Sequence, residues 1–234
     1  MVDNPHGGLL ALLAPRRCHW CGRISARHPA CAPCTAALPW NLRACRACAL
    51  PLESACATSV CGSCLSDAPP QDRSWTAFRY EAPIAQAIVE LKFRGRLAPA
   101  HVIGGLMAEH LARRSEPMPE LLIPVPLHAQ RLRHRGYNQA LELGRELARR
   151  LSLRLDPRAA QRAHATREQT RLDAAQRRRN VRGAFTMECT VVRGRHVALL
   201  DDVITTGATV AELARAARAA GASRIEVWAA ARVL

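Results

Sequence analysis

The stretch that decides the fold is VALLDDVITTGATVAEL, residues Val197–Leu213. Four apolar residues run into two adjacent acids, Asp201 and Asp202. Two more apolar residues follow, and the chain then passes through Thr205, Thr206, Gly207, Ala208 and Thr209 into apolar positions at helical spacing. An unbroken apolar run of this length suits a strand buried on both faces. At the turn, threonine hydroxyls and free backbone N–H groups converge on a helix start, where partial positive charge favours a phosphate. Gly207 lets the backbone come close to an oxygen. The two acids cannot serve that phosphate, but they suit vicinal hydroxyls, because an ionised carboxylate only accepts hydrogen bonds and a ribose offers two neighbouring donors. A sugar phosphate reconciles the two halves of the stretch. Other phosphate loops fit worse, since neither Gly-x4-Gly-Lys-Ser/Thr nor Gly-x-Gly-x-x-Gly occurs in the chain.

Working outward, strand and helix patterns alternate. SWTAFRYEAP (74–83) reads as a short strand, PIAQAIVELKF (83–93) as an amphipathic helix, LAPAHVIGGLMAEHLARR (97–114) as a further helix and LLIPVPL (121–127) as a buried strand. The cation-rich HAQRLRHRGYN (128–138) reads as a loop. NQALELGRELARRL (138–151) reads as a helix with Leu141, Leu147 and Leu151 inward, and SLRLD (152–156) as a short strand. RHVALLDDV (195–203) and RIEVWAAARVL (224–234) are strands on either side of the helix ATVAELARAARAAG (208–221), closed by Gly221. This order predicts an α/β fold, a parallel sheet with helices on both faces. Ligands of such sheets sit at the carboxyl ends of the strands.

The N-terminal third has a different logic. Cys18, Cys21, Cys31, Cys34, Cys45, Cys48, Cys61 and Cys64 form four Cys-x2-Cys pairs, spaced as Cys-x2-Cys-x9-Cys-x2-Cys and Cys-x2-Cys-x12-Cys-x2-Cys. Each pair can make a tight knuckle that turns two thiolates toward one ion, so structural zinc is expected. A thioredoxin-type redox pair needs one such motif and not four. The spacing leaves open one ion or two, and direct or crossed combination of the pairs. Cys56, between Cys48 and Cys61, can stand in as a ligand but is read first as a bystander, and Cys189 as lying in a strand or turn. The expected domains are a double zinc ribbon over 1–68 and an α/β domain over 72–234, joined by the Pro- and Asp-containing LSDAPPQDRS (65–74).

Composition bounds the partners. The 234 residues carry a formal net charge of +15, and 33 of the 34 cations are Arg. Such a balance implies attraction to polyanions, although a chain that writes Arg at every solvated cation would look the same. The single Lys, Lys92, stands out because a compact ammonium fits a crowded phosphate site that a planar guanidinium does not. Arg149 to Arg182 holds eleven Arg against three acids. The opening MVDNPHGGLLALLAPRR has an acid where a signal peptide carries positive charge and a Pro in its apolar run. No transmembrane segment and a cytoplasmic location are therefore expected, and a reducing compartment favours metal ligation over disulfides.

VALLDDVITTGAT resembles the phosphoribosyl pyrophosphate (PRPP) signature of type I phosphoribosyltransferases: four apolar residues, two acids, two apolar residues, then Thr-Thr/Ser-Gly-x-Thr. The order of four Cys pairs, ELKFRGR (90–96), IPVPLHAQRLRHRGYNQA (123–140), REQTRLDAAQRRRNVRGAF (167–185) and that signature is similar to the ComF family along nearly the whole chain. The resemblance implies a zinc-ribbon head on a type I phosphoribosyltransferase fold, and an association with natural competence or use of external DNA. It implies a PRPP site at Asp201, Asp202, Thr205, Thr206, Gly207, Ala208 and Thr209, with Mg2+ accompanying the ligand. Val125, Pro126 and Leu127 match the pyrophosphate loop, Lys92 and Arg135 match basic positions near the phosphates, and Asn138 and Gln139 open the next helix. Ala208 replaces the commoner Ser or Thr, which removes one hydroxyl.

Three functions are compatible with these residues. The first is a PRPP-binding protein that handles incoming single-stranded DNA, with Arg131 to Arg135, Arg149 to Arg182 and the zinc head as a cationic path. An aromatic content of 4% supplies few stacking platforms for such a path. The second is a salvage phosphoribosyltransferase, for which no acceptor motif is visible. The third is a docking adaptor at DNA-import machinery with an idle ligand site. Residue 2 is Val, so a glutamine-splitting amidotransferase with a terminal Cys nucleophile is not expected.

Overall fold

In the computed structural model, the described residues are 17–25, 29–53, 58–162 and 181–234. They belong to two compact units, residues 1–38 and 39–234. The smaller unit holds helix α1 (Ala32–Ala36) after the knuckle at Cys18–Cys21. The larger unit therefore includes the second pair of Cys knuckles, which end in helix α2 (Gly62–Ser66), together with the whole sheet.

The sheet is built from β1 (Arg73–Arg79), β2 (Leu121–Pro124), β3 (Arg154–Leu155), β6 (His196–Ile204) and β7 (Arg224–Arg232), in the order β1-β7-β6-β2-β3. Every pairing is parallel, as expected for strands joined through helices. Helices α3 (Ile84–Phe93) and α4 (Ala98–Leu111) lie between β1 and β2, and α8 (Ala208–Ala219) between β6 and β7. Between β2 and β3 the chain makes two helices. One is the expected α6 (Gln139–Leu151). The other, α5 (Ala129–Arg135), occupies the cation-rich stretch that the sequence presents as a loop. Its signals are polar ones: His128 accepts from the Gln130 amide at 3.3 Å and Gly136 closes it at φ +80°. It buries no residue, so it has no apolar periodicity to read.

Side-chain alternation assigns the two faces. Leu121, Ile123, Val197, Leu199, Ile225 and Val227 share a core with Val210, Leu213, Ala214 and Ala217 of α8. Leu122 and Leu200, of opposite parity on the central strands, face α6. A Cβ placed on Gly144 would sit 3.3 Å from Leu200 Cδ2 and 3.8 Å from Leu122 Cδ2, so the helix backbone comes down onto the sheet at that point. The buried stripe of α6 is centred on Leu143 and Leu147, with Leu141 and Leu151 only half-buried at its margins. A small antiparallel pair, β4 (Ala160–Arg162) with β5 (Phe185–Met187), and the short α7 (Cys189–Val192) complete the larger unit. Cys189 therefore starts a single-turn helix where the sequence reads as a strand or turn.

The outer edge of β1 is covered. Trp40 bridges to Phe78, the Asn41 amide donates to Ala77 O at 2.9 Å, and its side chain donates to Thr76 Oγ1 at 2.7 Å. Gln71 and Ser74 donate to Ala47 O at 3.0 and 2.7 Å. The edge strand is thus covered by residues 39–47 instead of being left open.

At the amino ends of the central strands sits a buried acid, Glu226, 1% exposed. Arg114 donates to both its oxygens at 2.8 Å, Trp228 Nε1 donates at 2.9 Å, and His196 Nε2 and Arg224 each lie 3.1 Å away. Burial works against its charge, but these donors outweigh burial and hold its pKa below the usual carboxylate range.

Candidate functional site

At the opposite, carboxyl ends, β2 and β6 are neighbours whose chains leave toward opposite faces, to α6 and α8. This is a topological switch point, where parallel sheets hold ligands. β6 also outruns β2: the last paired residue is Leu200, opposite Pro124, and Leu200 O accepts the Val125 amide at 2.8 Å. Beyond it the edge of β6 opens onto a cavity of about 750 Å³.

The cavity gathers most of the residues singled out from the sequence. Asp201, Asp202, Thr205, Gly207, Ala208 and Thr209 line it from β6 and the start of α8, and Val125 and Leu127 line it from the loop after β2. Lys92 and Arg135 line it from the ends of α3 and α5. Pro126 and Thr206 are not among its lining residues. Thr206 is exposed and uses its Oγ1 to accept the Ala208 amide at 3.4 Å. The turn itself depends on Gly207, which caps α8 at φ +78°, a conformation that side-chain-bearing residues rarely adopt.

The two acids are not equivalent. Asp202 is 7% exposed and lies 3.0 Å from Lys92 Nζ. Burial opposes the Lys92 ammonium, yet Asp202 and then Asp201 outweigh it, and its pKa is raised. Asp201 accepts the Asp202 amide at 2.8 Å. Its own pKa is pushed up to about 7, first by burial and then by the neighbouring carboxylate, with Lys92 acting in the other direction. Lys92 therefore stands against the acid pair.

Further residues complete the lining. Asn138 accepts the Ala140 amide at 3.0 Å as the cap of α6, and its Nδ2 donates to Val125 O at 2.9 Å, fastening the loop after β2 to the helix. Arg135 donates to Gln139 Oε1 at 3.1 Å and lies 5.2 Å over the ring of Phe93. Phe93, 66% exposed, lines the cavity together with Tyr80 and Tyr137, so both tyrosines of the chain are there. The cations Arg131 and Arg162 complete the wall. Burial, then Arg131, lowers the Arg162 pKa to about 10 while Asp201 opposes the shift. Of the cationic segment from Arg149 to Arg182, residues 163–180 lie outside the described residues, as do Cys56 and the first sixteen residues.

The cysteines form two separate tetrads, Cys18 with Cys21, Cys31 and Cys34, and Cys45 with Cys48, Cys61 and Cys64. Within each, the ligand atoms lie within 4.8 Å of one another, so the pairs combine directly and not crosswise. Zinc fits this geometry: Zn–S bonds of about 2.3 Å imply tetrahedral S···S edges of about 3.8 Å, and Cys21–Cys31 and Cys48–Cys61 both stand at 3.7 Å. The Cys31 amide donates to Cys18 Sγ at 3.3 Å and the Cys61 amide to Cys45 Sγ at 3.2 Å. Although burial opposes it, these and neighbouring amides bring Cys18 down to about 6 and Cys45 down to about 7. Cys34 is pushed up to about 12, chiefly by its hydrogen bond with Cys31, and burial pushes Cys48 up to about 11. Four thiols this close cannot all ionise unaided, and a divalent cation removes the conflict.

A double zinc ribbon domain matches residues 9–65. The chain is 35% identical over 208 residues to a DNA utilization protein YhgH of Salmonella typhi, covering 87% of this chain and 90% of that one. It is 34% identical over 178 residues to competence protein F of Haemophilus influenzae, covering 74% and 78%. Among solved structures, a glutamine PRPP amidotransferase of B. subtilis is similar at 18% identity and a TM-score of 0.41, over 60% of this chain and 30% of that one. No helix among the described residues is long and apolar enough to cross a membrane.

Proposed function

This chain belongs to the ComF family, that of the DNA utilization and competence proteins it matches, and we propose that it binds PRPP with Mg2+ and acts in the handling of external DNA. The observation that carries this reading is the convergence of an acid pair and a hydroxyl-rich helix start on one cavity at the switch point of the sheet. Asp201 and Asp202 accept from the ribose diol. The amides of Thr205 to Thr209 and their hydroxyls take the 5′-phosphate, as a helix start does for anions. The loop at Val125 to Leu127, with Arg135 beside it, takes the pyrophosphate. Mg2+ fits as a companion of that pyrophosphate, because hard-oxygen ligands and waters suit it and the carboxylate of Asp202 is already engaged by Lys92. When bound, the ion supplies neutralisation of pyrophosphate charge.

Arg131, Arg135 and Arg162 give the wall a positive balance over its two acids, which supports approach of a nucleic-acid strand. Transfer of the phosphoribosyl group to a base is the second reading, favoured by the ring faces of Phe93, Tyr80 and Tyr137 in the same cavity.

Equilibrium dialysis with PRPP and Mg2+, followed by a pyrophosphate-release assay across a panel of bases, separates the readings. Binding without release supports a PRPP-responsive protein, release supports a transferase, and no retention of PRPP leaves the adaptor. Affinity for single-stranded DNA that falls steeply with salt supports the cationic path, and its slope counts the phosphates neutralised.

A further inference from the structure

We propose that Arg232 is a positioning residue that ties the turn at Thr205 to the second cysteine tetrad, so that metal at Cys45, Cys48, Cys61 and Cys64, and not at the first tetrad, sets the order of the candidate phosphate site. Arg232 ends β7 in register with Ile204, the last residue of β6, and is 9% exposed. A buried guanidinium must spend its donors on acceptors. Its Nη1 shares its protons among three carbonyls: Ile204 O at 3.2 Å, Thr205 O, and Val233 O at 2.6 Å. Its Nε donates in the other direction to Cys48 O at 3.1 Å. One side chain thus spans from the backbone entering the Thr205–Thr209 turn to the backbone of a metal-knuckle cysteine.

The knuckle itself is anchored. Beyond its contacts through Ala47, the Ser74 amide donates to Arg46 O at 2.7 Å and the Cys45 and Ala49 amides close the loop on Leu50 O and Cys45 O. Metal ligation fixes the Cys48 carbonyl where Arg232 needs it. A four-thiolate zinc centre carries a net charge of −2, and a neighbouring cation offsets it, as outer-shell partners of metal sites commonly do. The first tetrad belongs to the other compact unit.

The consequence for affinity rests on the PRPP reading, whereas the consequence for order does not. Hydrogen–deuterium exchange on the full-length, zinc-loaded protein therefore tests it. Loss of charged hydrogen bonds of this kind is worth about tenfold or more in local opening. Arg232→Met and Cys61→Ser are expected to speed exchange of the Thr205 to Thr209 amides by about tenfold, leaving the β2 amides unchanged. Arg232→Lys, which keeps the charge but reaches fewer acceptors, is expected to fall between, and Cys31→Ser to match wild type. Should Cys61→Ser fail to fold, stepwise chelation of the wild type, followed by the release of zinc, gives the same readout. Unchanged turn exchange in Arg232→Met, or equal opening in Cys31→Ser, overturns the proposal. A wild type that retains no PRPP but shows the expected exchange pattern would refute the ligand reading and leave the strut standing.

Discussion

The two ends of the central strands carry buried acids under opposite conditions. At the amino end, Glu226 is surrounded by Arg114, Arg224, His196 and Trp228, and its pKa is lowered. At the carboxyl end, Asp201 and Asp202 stand side by side with Lys92 committed to Asp202, and Asp201 is pushed up to about 7. The first acid is satisfied by the fold. The second pair is kept under tension, and such perturbed groups in a cavity are where a ligand has most to offer. The difference separates an acid whose charge the fold satisfies from one whose charge it opposes.

Four perturbations break or sharpen that contrast. The largest effect is expected at the satisfied end. Glu226→Ala strands Arg114 in a buried site, and breaking a buried pair costs about 3–5 kcal/mol, measurable as a fall in the urea midpoint; if the loss is below about 1 kcal/mol, the cluster is not structural. Lys92→Met removes the counter-charge of the acid pair. It is expected to move the Asp201 titration above its present value near 7 and to weaken Mg-PRPP binding by about tenfold, the scale of a charged hydrogen bond; titration followed by NMR of the labelled carboxylates reads the first effect directly.

The pH dependence of stability should have opposite signs at the two ends. Glu226 titrates below its unfolded value of 4.5, so its contribution is complete above that pH and is lost as pH falls through the folded value. Asp201 rises from 3.8 to about 7, so the folded chain keeps a proton that the unfolded chain releases, and stability falls as pH rises between those values. Urea midpoints from pH 3 to 8 should lose the acid limb in Glu226→Gln and the neutral limb in Asp201→Asn. The smallest effect is expected for Thr206→Ala, which removes only the hydroxyl bonded to the Ala208 amide, worth about 0.5–1.5 kcal/mol and seen as a shift of a few degrees in Tm.

How much of this was legible varied with the kind of force involved. The parallel sheet followed from runs such as Val197–Leu200, whose burial on both faces leaves a continuous apolar signature. The tetrads followed from spacing, although only the structure distinguishes direct from crossed pairing. Helix α5 escaped because it buries nothing. The inward face of α6 differs slightly from the expected one, because Gly144, which makes the close approach, and the buried Ala140 are small and carry little hydrophobic weight. Ten of the twelve residues assigned to the PRPP and pyrophosphate subsites line the cavity; one motif fixes six of them along a single strand and turn, and Val125, Leu127, Lys92 and Arg135 come from three other segments. Arg232 and Tyr80 arrive from distant segments. Arg232 did leave a signal: an arginine directly after the apolar run Val227–Ala231 must find acceptors.

The central claim is that the strand end and turn at Asp201 to Thr209 hold a phosphorylated pentose. Isothermal titration of wild type and of Asp201→Asn with Asp202→Asn, using PRPP and Mg2+ at pH 8, tests it most directly. Saturable heat in the wild type that is lost or weakened by at least about tenfold in the double variant, with an unchanged urea midpoint or a higher one, is the expected result. No heat in the wild type, or equal affinity in both proteins, would contradict the account.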